Sequence, residues 1–392
     1  MENINNRIRS VFDKIDYLLL FCMILLFIIS LFAIYSASGQ YSADPTFFLI
    51  RQTVWFCIGL VAMFFILFLE YEHYRALAIP MYIAGVLSLL FVDLFGVSNK
   101  GSQRWIAIGG IEIQPSEFVK LILIIMLATA VYKITEKYKT TSKRDLYILI
   151  SIFILSIIPF YFIFAQPDLG TALVTIAIAA TILLVSGISF TYILLIGLAV
   201  ILFLLLLTWL FIYQPDIFNM LFKEHQLTRI YGWLQPEFYA GSFGYQLSGA
   251  RLGIGSGGLF GNGFQNGFIA QSGRVPEIHT DFIFTVIGEE FGFLGASVLL
   301  LIYFVLIYRM IIIAINCKDR FGMYIIAGVI GLFTFQIFQN IGMTIGMMPI
   351  TGLTLPFISY GGSSLLTSMI AVGVVLNVHI HTKEYMFGDK QP

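Results

Sequence analysis

The sequence predicts an all-α polytopic membrane protein that forms one integral membrane domain over residues 1-392. Of its 392 residues, 59% are hydrophobic and only 11% are charged, whereas an ordinary soluble domain has roughly 45–50% apolar and about 25% charged residues. A transmembrane helix uses about 20 residues, so the apolar residues suffice for ten spans. Little remains to build a soluble core, which argues against a separate globular domain.

Ten apolar stretches, bounded by charged residues, proline or glycine, each predict one helix. The first, from Tyr17 to Tyr35, is longer than the apolar part of a signal peptide, which has about 7–15 residues. We therefore interpret it as a retained helix, with cleavage near 36-39 as the alternative. The sixth and seventh stretches are separated only by 186-189 and require a tight hairpin. The predicted spans are 17-37, 52-69, 76-97, 117-132, 146-165, 169-187, 189-213, 280-308, 321-346 and 355-378.

Positive charge is divided unevenly between the two ends of the predicted helices. With the amino terminus inside, 14 of the 22 Lys and Arg residues lie on the cytoplasmic side, and four of the other eight lie in one long loop, where the positive-inside rule hardly applies. We therefore predict that both termini are cytoplasmic and that the loops 98-116 and 214-280 are outside. Both loops exceed the length of a plain connector, about 12–15 residues, and the second is rich enough in aromatic residues to be ordered.

Several function classes find no support. Acidic and basic residues balance at 22 each, so no charge excess indicates a nucleic acid partner. The three cysteines lie in or beside apolar runs without paired or ligand-like spacing, so neither a disulfide framework nor a metal site is predicted. The letters of a dinucleotide motif at 253-258 lie among ten glycines in 241-267, without the strand and helix that such a motif needs. A P-loop is absent, which argues against an ATP-driven pump.

The segment VPEIHTDFIF at 275-284 is the most informative for chemistry. Thr280 or Asp281 is able to cap the eighth span, which places Asp281 at the outer membrane surface. Glu277 and His279 come just before it. Glu289 and Glu290 follow about 12 Å deeper, at 1.5 Å per residue. Carboxylates within a membrane are costly and indicate function by default.

The fourth span begins with QPSEF at 114-118, and two charge pairings are open there. Lys120 lies at the same predicted depth as Asp281, so a Lys120–Asp281 pair would neutralise two buried charges and hold the carboxylate ionised. The alternative is an intrahelical Glu117–Lys120 pair at i, i+3, with Asp281 acting only as a cap.

Two further groups allow both a structural and a functional interpretation. Lys100, Gln103, Arg104 and Trp105 are typical of an interfacial anchor, but cations and an aromatic face also suit a lipid diphosphate and a sugar. The last spans carry polar and helix-breaking residues between Gln336 and Ser364, Ser359 among them. Such residues either join helices or line a substrate cavity.

Six ordered motifs carry a resemblance to a known family. They are KGSQRWI at 100-106, QPSEF at 114-118, QPDLG at 166-170, GSGGLFGNG at 255-263, VPEIHTDFIF at 275-284 and PITGLTLPFISYGGSSLL at 349-366. Together they resemble the shape, elongation, division and sporulation (SEDS) family, and the wording of KGSQRW is more similar to the RodA branch than to the FtsW branch. The segment before Pro276 departs from the pattern, because Gly273 and Arg274 stand where family members are more hydrophobic.

The resemblance implies a peptidoglycan glycosyltransferase of the bacterial cytoplasmic membrane that serves cell elongation and shape. Such enzymes polymerise lipid II on the outer face, release undecaprenyl diphosphate and work beside a class B penicillin-binding protein. The essential carboxylate of the family falls on Asp281, and its functional tryptophan falls on Trp105. A lipid II flippase, a division-specific FtsW-type polymerase and a non-catalytic scaffold are the alternatives.

The chemistry of glycan polymerisation assigns roles to these residues. A sugar hydroxyl attacks an anomeric carbon whose leaving group is a lipid diphosphate, so one carboxylate must accept the hydroxyl proton and cations must hold the departing charge. We predict Asp281 as the base. The predicted substrate-binding residues are Arg104, Trp105, Glu117, Lys120, Arg274, Glu277, His279, Thr280 and Ser359. No cofactor is assigned from the sequence, although a divalent cation, magnesium or manganese, would suit the diphosphate.

Overall fold

The structure, a computed structural model, describes residues 14–40, 46–99, 102–109, 111–138, 142–238 and 243–384. Helices and strands follow one another along these ranges in a simple order. They are α1 (Tyr17–Ala37), α2 (Thr46–Leu67), α3 (Glu72–Phe95), β1 (Val97–Asn99), β2 (Ser102–Ile108), β3 (Ile111–Ile113), α4 (Pro115–Lys137), α5 (Ser142–Ala165), α6 (Leu169–Val185), α7 (Phe190–Tyr213), α8 (Pro215–Leu221), α9 (Glu224–Leu234), α10 (Phe243–Ser256), α11 (Phe268–Gln271), α12 (Ile283–Asn316), α13 (Arg320–Thr344) and α14 (Gly362–Glu384).

The ten predicted spans correspond to α1–α7 and α12–α14. Within the described ranges, nine helices are long and apolar enough to cross a membrane, and α6 adds a shorter apolar helix. The prediction of an all-α polytopic membrane protein is thus confirmed. Boundaries shift at several helices: α2 begins at Thr46 rather than 52, and α12 continues to Asn316 rather than 308. At these two helices, the helix extends beyond the apolar stretch that marks the span.

The helices form a bundle whose centre is closely packed. α2 packs along α14, α13 along α6, and α12 along α1. Glycines allow this approach between α2 and α14, because Gly59 touches Met369 and Gly373 touches Met63, as is common where membrane helices pack through small residues. α7 has no buried residue, so it lies at the edge of the bundle, where an apolar side chain on every face suits lipid.

One end of the bundle, which we call the site end, gathers the irregular segments. The strands form a three-stranded antiparallel sheet in the order β1-β2-β3, in which Ser98 pairs with Gln103 and Ile106 with Ile113. This sheet leads directly into α4. The predicted loop 98-116 is therefore ordered in its described part, and its hairpins fix the side chains of β2 relative to the start of α4.

The glycine-rich segment after α10 docks into a break in α12. Gly292 has φ 65° and ψ −163°, which interrupts that helix. Backbone groups of 258–263 replace the lost helical hydrogen bonds: Asn262 N donates to Glu289 O at 3.0 Å, and Phe293 N donates to Gly258 O at 2.9 Å. A Cβ on Gly261 would lie 2.1 Å from Glu290 O. Backbone contact explains these glycines, and irregular backbone at membrane depth is tolerated when it is enclosed by protein in this way.

The two deep carboxylates of α12 have structural partners. Glu289 accepts hydrogen bonds from Ile269 N and Ala270 N, both at 2.8 Å, and so caps the start of α11. Glu290 accepts a hydrogen bond from the Ser36 hydroxyl. These contacts fasten α11 and α1 to α12, so the default functional interpretation of intramembrane carboxylates is not needed here.

Candidate active site

A cavity of about 990 Å³ opens at the site end. Its walls come from α2, β2, the start of α4, α9 and the segments 276–282 and 350–364. Most of the predicted site residues line it together: Arg104, Trp105, Glu117, Glu277, His279, Thr280 and Asp281. Residues separated by up to 177 positions along the chain thus share one cavity, as expected for a binding site in a helix bundle.

Asp281 is held in this cavity by its backbone. Its carbonyl oxygen accepts a hydrogen bond from Asn340 Nδ2 at 2.8 Å. The preceding turn is closed by Glu277 O, which accepts from the backbone N–H groups of Thr280 and Phe282 at 3.1 and 3.2 Å. The carboxylate itself lies beside Gly352, where a Cβ would be 3.2 Å from Asp281 Oδ2. Because the backbone fixes the residue, its side chain is free for chemistry.

The environment of Asp281 makes it a stronger base than an exposed aspartate. Burial, and after it the charge of Glu277, raise the pKa of Asp281 from 3.8 to about 6, while Arg229 and Arg104 act in the opposite direction. The pKa rises because desolvation disfavours the charged carboxylate. At neutral pH the group is still mostly ionised, so it is able to accept a proton.

Two arginines supply positive charge to the cavity. Arg104 Nη1 lies 3.4 Å from Asp168 Oδ2, and these side chains are 18% and 3% exposed. Arg229, on α9, donates to Thr351 O at 3.0 Å and lies over the ring of Phe243 at 5.2 Å. Burial and the nearby Arg104 lower the pKa of Arg229, yet a guanidinium remains charged at any physiological pH.

Asp168 is a second carboxylate in the cavity wall that reasoning from residue types did not single out. Its Oδ1 accepts from Thr171 N at 3.1 Å and caps α6, while its Oδ2 accepts from Gln114 Nε2 at 3.0 Å and lies beside Arg104. It therefore joins the start of α6, the approach to α4 and strand β2. The QPDLG motif was the signal for it. Arg229 belongs to none of the six motifs, and the residue to which it donates a hydrogen bond, Thr351, is distant in the sequence.

The predicted Lys120–Asp281 pair is wrong. Lys120 Nζ donates to both carboxylate oxygens of Glu117 at 2.8 Å, and Thr367 Oγ1 donates to Glu117 Oε2 at 3.2 Å. The i, i+3 pair of the alternative forms because one helical turn brings these two side chains together. Asp281 is not the cap that this alternative expected, since the N-cap of α12 is Phe282. The charges acting on Asp281 come from Glu277, Arg229, Arg104 and Asp168. Lys120 is therefore engaged by Glu117, and only Glu117 reaches the cavity wall.

Three other predicted residues have different positions. Ser359 Oγ donates to Thr280 O at 2.6 Å and accepts from Leu355 N at 2.8 Å, so it ties together two segments of the cavity wall. Arg274 is exposed, outside the cavity lining, with its guanidinium 5.2 Å from the ring of Phe268. Lys100 lies outside the described residues.

Nearly the whole chain matches one protein-family model. The model described as cell cycle protein, FtsW/RodA/SpoVE, matches residues 16–384. The chain belongs to this family. The resemblance of the six motifs is thereby confirmed.

Curated members of the FtsW/RodA/SpoVE family match over nearly the whole chain. Stage V sporulation protein E of Bacillus subtilis is 36% identical over 381 residues, which cover 94% of this chain and 98% of that protein. Peptidoglycan glycosyltransferase MrdB of Escherichia coli K12 is 33% identical over 377 residues and covers 96% of both. A probable peptidoglycan glycosyltransferase FtsW of Trichlorobacter lovleyi is 33% identical over 370 residues, 93% of this chain and 92% of that protein.

Solved structures of FtsW/RodA/SpoVE family members share the fold. One, described as "Structural coordination of polymerization and crosslinking by a peptidoglycan synthase complex", has a TM-score of 0.75 at 29% identity and covers 94% of this chain and 98% of the other. The crystal structure of the rod shape determining protein RodA of Thermus thermophilus has a TM-score of 0.66 at 28% identity, with 96% and 98% covered. Stage V sporulation protein E, MrdB and FtsW are 36%, 33% and 33% identical to the chain, so its assignment to the elongation branch stays a prediction.

Proposed function

We propose that this protein is a peptidoglycan glycosyltransferase that polymerises lipid II and releases undecaprenyl diphosphate. The observation that carries the proposal is the raised pKa of Asp281 in a cavity that also holds Arg104 and Arg229. A base and two cations around one space are what attack on a sugar diphosphate requires. Similarity to the peptidoglycan glycosyltransferase MrdB and to the probable peptidoglycan glycosyltransferase FtsW supports the same activity.

The reaction assigns a step to each group. The acceptor hydroxyl oxygen attacks the anomeric carbon of the donor, and its proton passes to the carboxylate of Asp281. The bond from that carbon to the diphosphate oxygen breaks, and its electron pair leaves with the diphosphate. Arg104 and Arg229 stabilise the charge that develops there. A diphosphate is already a good leaving group, so a second carboxylic acid is not needed, unlike in glycoside hydrolysis.

Arg104, Lys120 and Arg274 are the cationic residues among the substrate-binding residues predicted from the sequence. The structure leads to a different choice of diphosphate contacts. Lys120 is occupied by Glu117 and Arg274 lies outside the cavity, so we assign Arg104 and Arg229 instead. Trp105 lines the same cavity on β2 and keeps its proposed role as an aromatic face for the sugar. Glu277 and His279 line the wall beside Asp281 and are proposed to shape this contact.

A divalent cation is a further proposal. Within the described ranges no three histidine, cysteine or acidic side chains gather as a metal site. Magnesium, however, usually keeps several waters and is bound largely through substrate phosphates, so a bound diphosphate would offer it suitable oxygen ligands. The cation would neutralise diphosphate charge beside the arginines. Chelation that leaves polymerisation unchanged would contradict this proposal.

We also propose that the site end faces the outside of a bacterial cytoplasmic membrane and that a class B penicillin-binding protein works beside the polymerase. The structural relative in a synthase complex for polymerization and crosslinking supports such a partner.

The orientation is tested by cysteine labelling. In a variant without native cysteines, Arg274→Cys should react with an impermeant thiol reagent in intact protoplasts, and Lys318→Cys, exposed at the opposite end, should react only after lysis. The reverse pattern would invert the orientation.

The activity itself is tested with purified protein, lipid II and the penicillin-binding partner where needed. Wild-type protein should yield polymerised glycan, and Asp281→Asn should yield none while remaining folded. The matched control is Asp216→Asn, because Asp216 is exposed on α8 and outside the cavity lining. An Asp281→Asn rate above about a tenth of wild type, a loss below about 1.4 kcal/mol, is too small for loss of a general base. Movement of lipid II across vesicles without polymer would favour a flippase.

A further inference from the structure

The cavity has a second tryptophan. Trp55 lies tenth in the 22-residue helix α2 and lines the cavity. Tryptophans that anchor a membrane protein concentrate at the two interfaces, and Trp209 fits that pattern, since it is exposed near the end of α7 with its ring 6.1 Å from Tyr213. A position in the middle of a helix, facing a cavity rather than lipid, does not fit an anchor.

The orientation of Trp55 is fixed by a glycine. A Cβ on Gly362 would lie 2.2 Å from Trp55 Cε2 and 2.5 Å from its Nε1. The indole ring therefore packs directly on the backbone where α14 begins, and only glycine permits this. A ring held in this way is a rigid wall of the cavity.

The polar end of this indole is not satisfied by the protein. Among the described residues, Trp55 Nε1–H donates no hydrogen bond, whereas Trp233 Nε1 donates to Gly346 O at 3.0 Å. A partly buried tryptophan N–H usually has a partner. An aromatic face with an unused donor is suited to a ligand that is apolar on one face and rich in oxygen at its edge.

The surroundings of Trp55 include hydroxyl groups that suit a sugar. The neighbouring wall carries hydroxyl groups, with Thr354 Oγ1 and Ser364 Oγ 2.7 Å apart. Arg51, one turn earlier on α2, is exposed, lines the cavity and lies over the ring of Phe47 at 4.8 Å. Glu117 is neutralised by Lys120. The charges that act on Asp281 come from other elements and form one charged side of the cavity, whereas α2 contributes a single cation, Arg51, to the lining.

We infer that Trp55 forms a sugar subsite, in which the neutral pyranose ring of a lipid-linked saccharide stacks on the indole and accepts a hydrogen bond from its Nε1–H. This inference rests on the proposed function, since polymerisation brings two lipid-linked saccharides into one cavity. The diphosphate that leaves occupies the charged side, and a sugar ring occupies the α2 side. Ile50, Val54 and Ile58 line the cavity on the same helix and offer an apolar surface to the attached lipid.

Equilibrium binding tests the subsite without turnover. Labelled lipid II and labelled undecaprenyl diphosphate, which lacks the sugar, are titrated against purified protein. Trp55→Leu should weaken lipid II binding at least tenfold and undecaprenyl diphosphate binding less than threefold. Trp55→Phe, which keeps a ring, should lose less than threefold for lipid II, and the control Trp209→Leu should change neither. Equal weakening of both ligands, or no weakening, would overturn the subsite.

A second measurement uses the unmodified sequence, in case Trp55→Leu does not fold. In protein labelled with 5-fluorotryptophan, the fluorine resonance of Trp55, assigned with Trp55→Phe, should shift with lipid II but not with undecaprenyl diphosphate. The resonance of Trp209 should stay constant with both. A Trp55 resonance that ignores lipid II would also overturn the subsite. If lipid II binds as expected but no glycan forms, the proposed polymerase fails while the sugar subsite stands.

Discussion

Lys120 donates to both carboxylate oxygens of Glu117 at 2.8 Å, with side chains only 2% and 7% exposed. Glu117 lies at the wall of the cavity, and Thr367 of α14 adds a hydrogen bond to the same carboxylate. The ion pair therefore joins the start of α4 to α14 as well as two residues of one helix. A buried pair of this kind stabilises little by itself, but each member depends on the other.

The first prediction follows from this dependence. Lys120→Met should lower the free energy of unfolding by about 3–5 kcal/mol, because it leaves a buried carboxylate without its cation. Adding Glu117→Gln should recover much of that loss, which thermal denaturation in detergent measures. The control is Lys120→Met with Asp281→Leu, where the two changes should be additive because these residues do not pair. Non-additivity in the control and additivity in the first pair would contradict the observed pairing.

The second prediction concerns pH. Because Asp281 must be ionised to accept a proton and its pKa is about 6, polymerisation should fall to half near pH 6 as pH decreases. Glu277→Gln should move this acidic limb to lower pH, since the charge of Glu277 raises the pKa of Asp281. The pH dependence of kcat/KM measures it. An acidic limb near pH 4 in the wild type, or a limb that moves upward in Glu277→Gln, would contradict the assignment.

The same pKa predicts an effect on stability. The pKa of Asp281 is higher in the folded state than in the unfolded chain, so its unfavourable contribution is absent below pH 3.8, grows as pH rises to about 6 and is constant above. Asp281→Asn should therefore raise the unfolding temperature at pH 7.5, by an energy of at most roughly 3 kcal/mol, and leave it unchanged near pH 4. A loss of stability at pH 7.5 would contradict this account.

The membrane helices could be predicted from the sequence because apolar length alone specifies a span. The contacts inside the site could not. Two carboxylates, Glu117 and Asp281, were available to Lys120. Which of them Lys120 reaches depends on how the helices are rotated in the bundle. Arg229 lies in a long loop without periodicity, and its cavity contact is made with Thr351, 122 positions away. Such positions depend on how distant segments fold back.

Asp168 illustrates a residue whose two roles are separable, which gives the fourth prediction. Asn is as good a helix cap as Asp, so Asp168→Asn should keep the cap on Thr171 N and change stability by less than about 0.5 kcal/mol. It removes the charge opposite Arg104, so the KM for lipid II should rise. Asp168→Ala should lose both the cap, about 1 kcal/mol, and the affinity. If both variants have the wild-type KM, Asp168 does not position Arg104.

The last prediction separates packing from flexibility in the glycine-rich segment, using two glycines two residues apart. A Cβ on Gly257 would lie 2.1 Å from Gly288 O and 2.8 Å from Glu289 O, both backbone atoms, whereas a Cβ on Gly255 meets nothing within 4 Å. Neither glycine has a positive φ, so strain in the backbone is not involved. Gly257→Ala must push the segment away from α12, and overpacking typically costs about 1–3 kcal/mol.

Gly255→Ala, in the last turn of α10, should be neutral or slightly stabilising, because alanine favours a helix more than glycine by about 1 kcal/mol. The unfolding temperatures of the two variants, measured side by side, check the prediction. If the two variants have the same unfolding temperature, close contact between the glycine-rich segment and α12 is not what requires glycine at position 257. If only Gly257→Ala loses stability, the segment serves as a structural wedge, since its backbone occupies the gap that Gly292 opens.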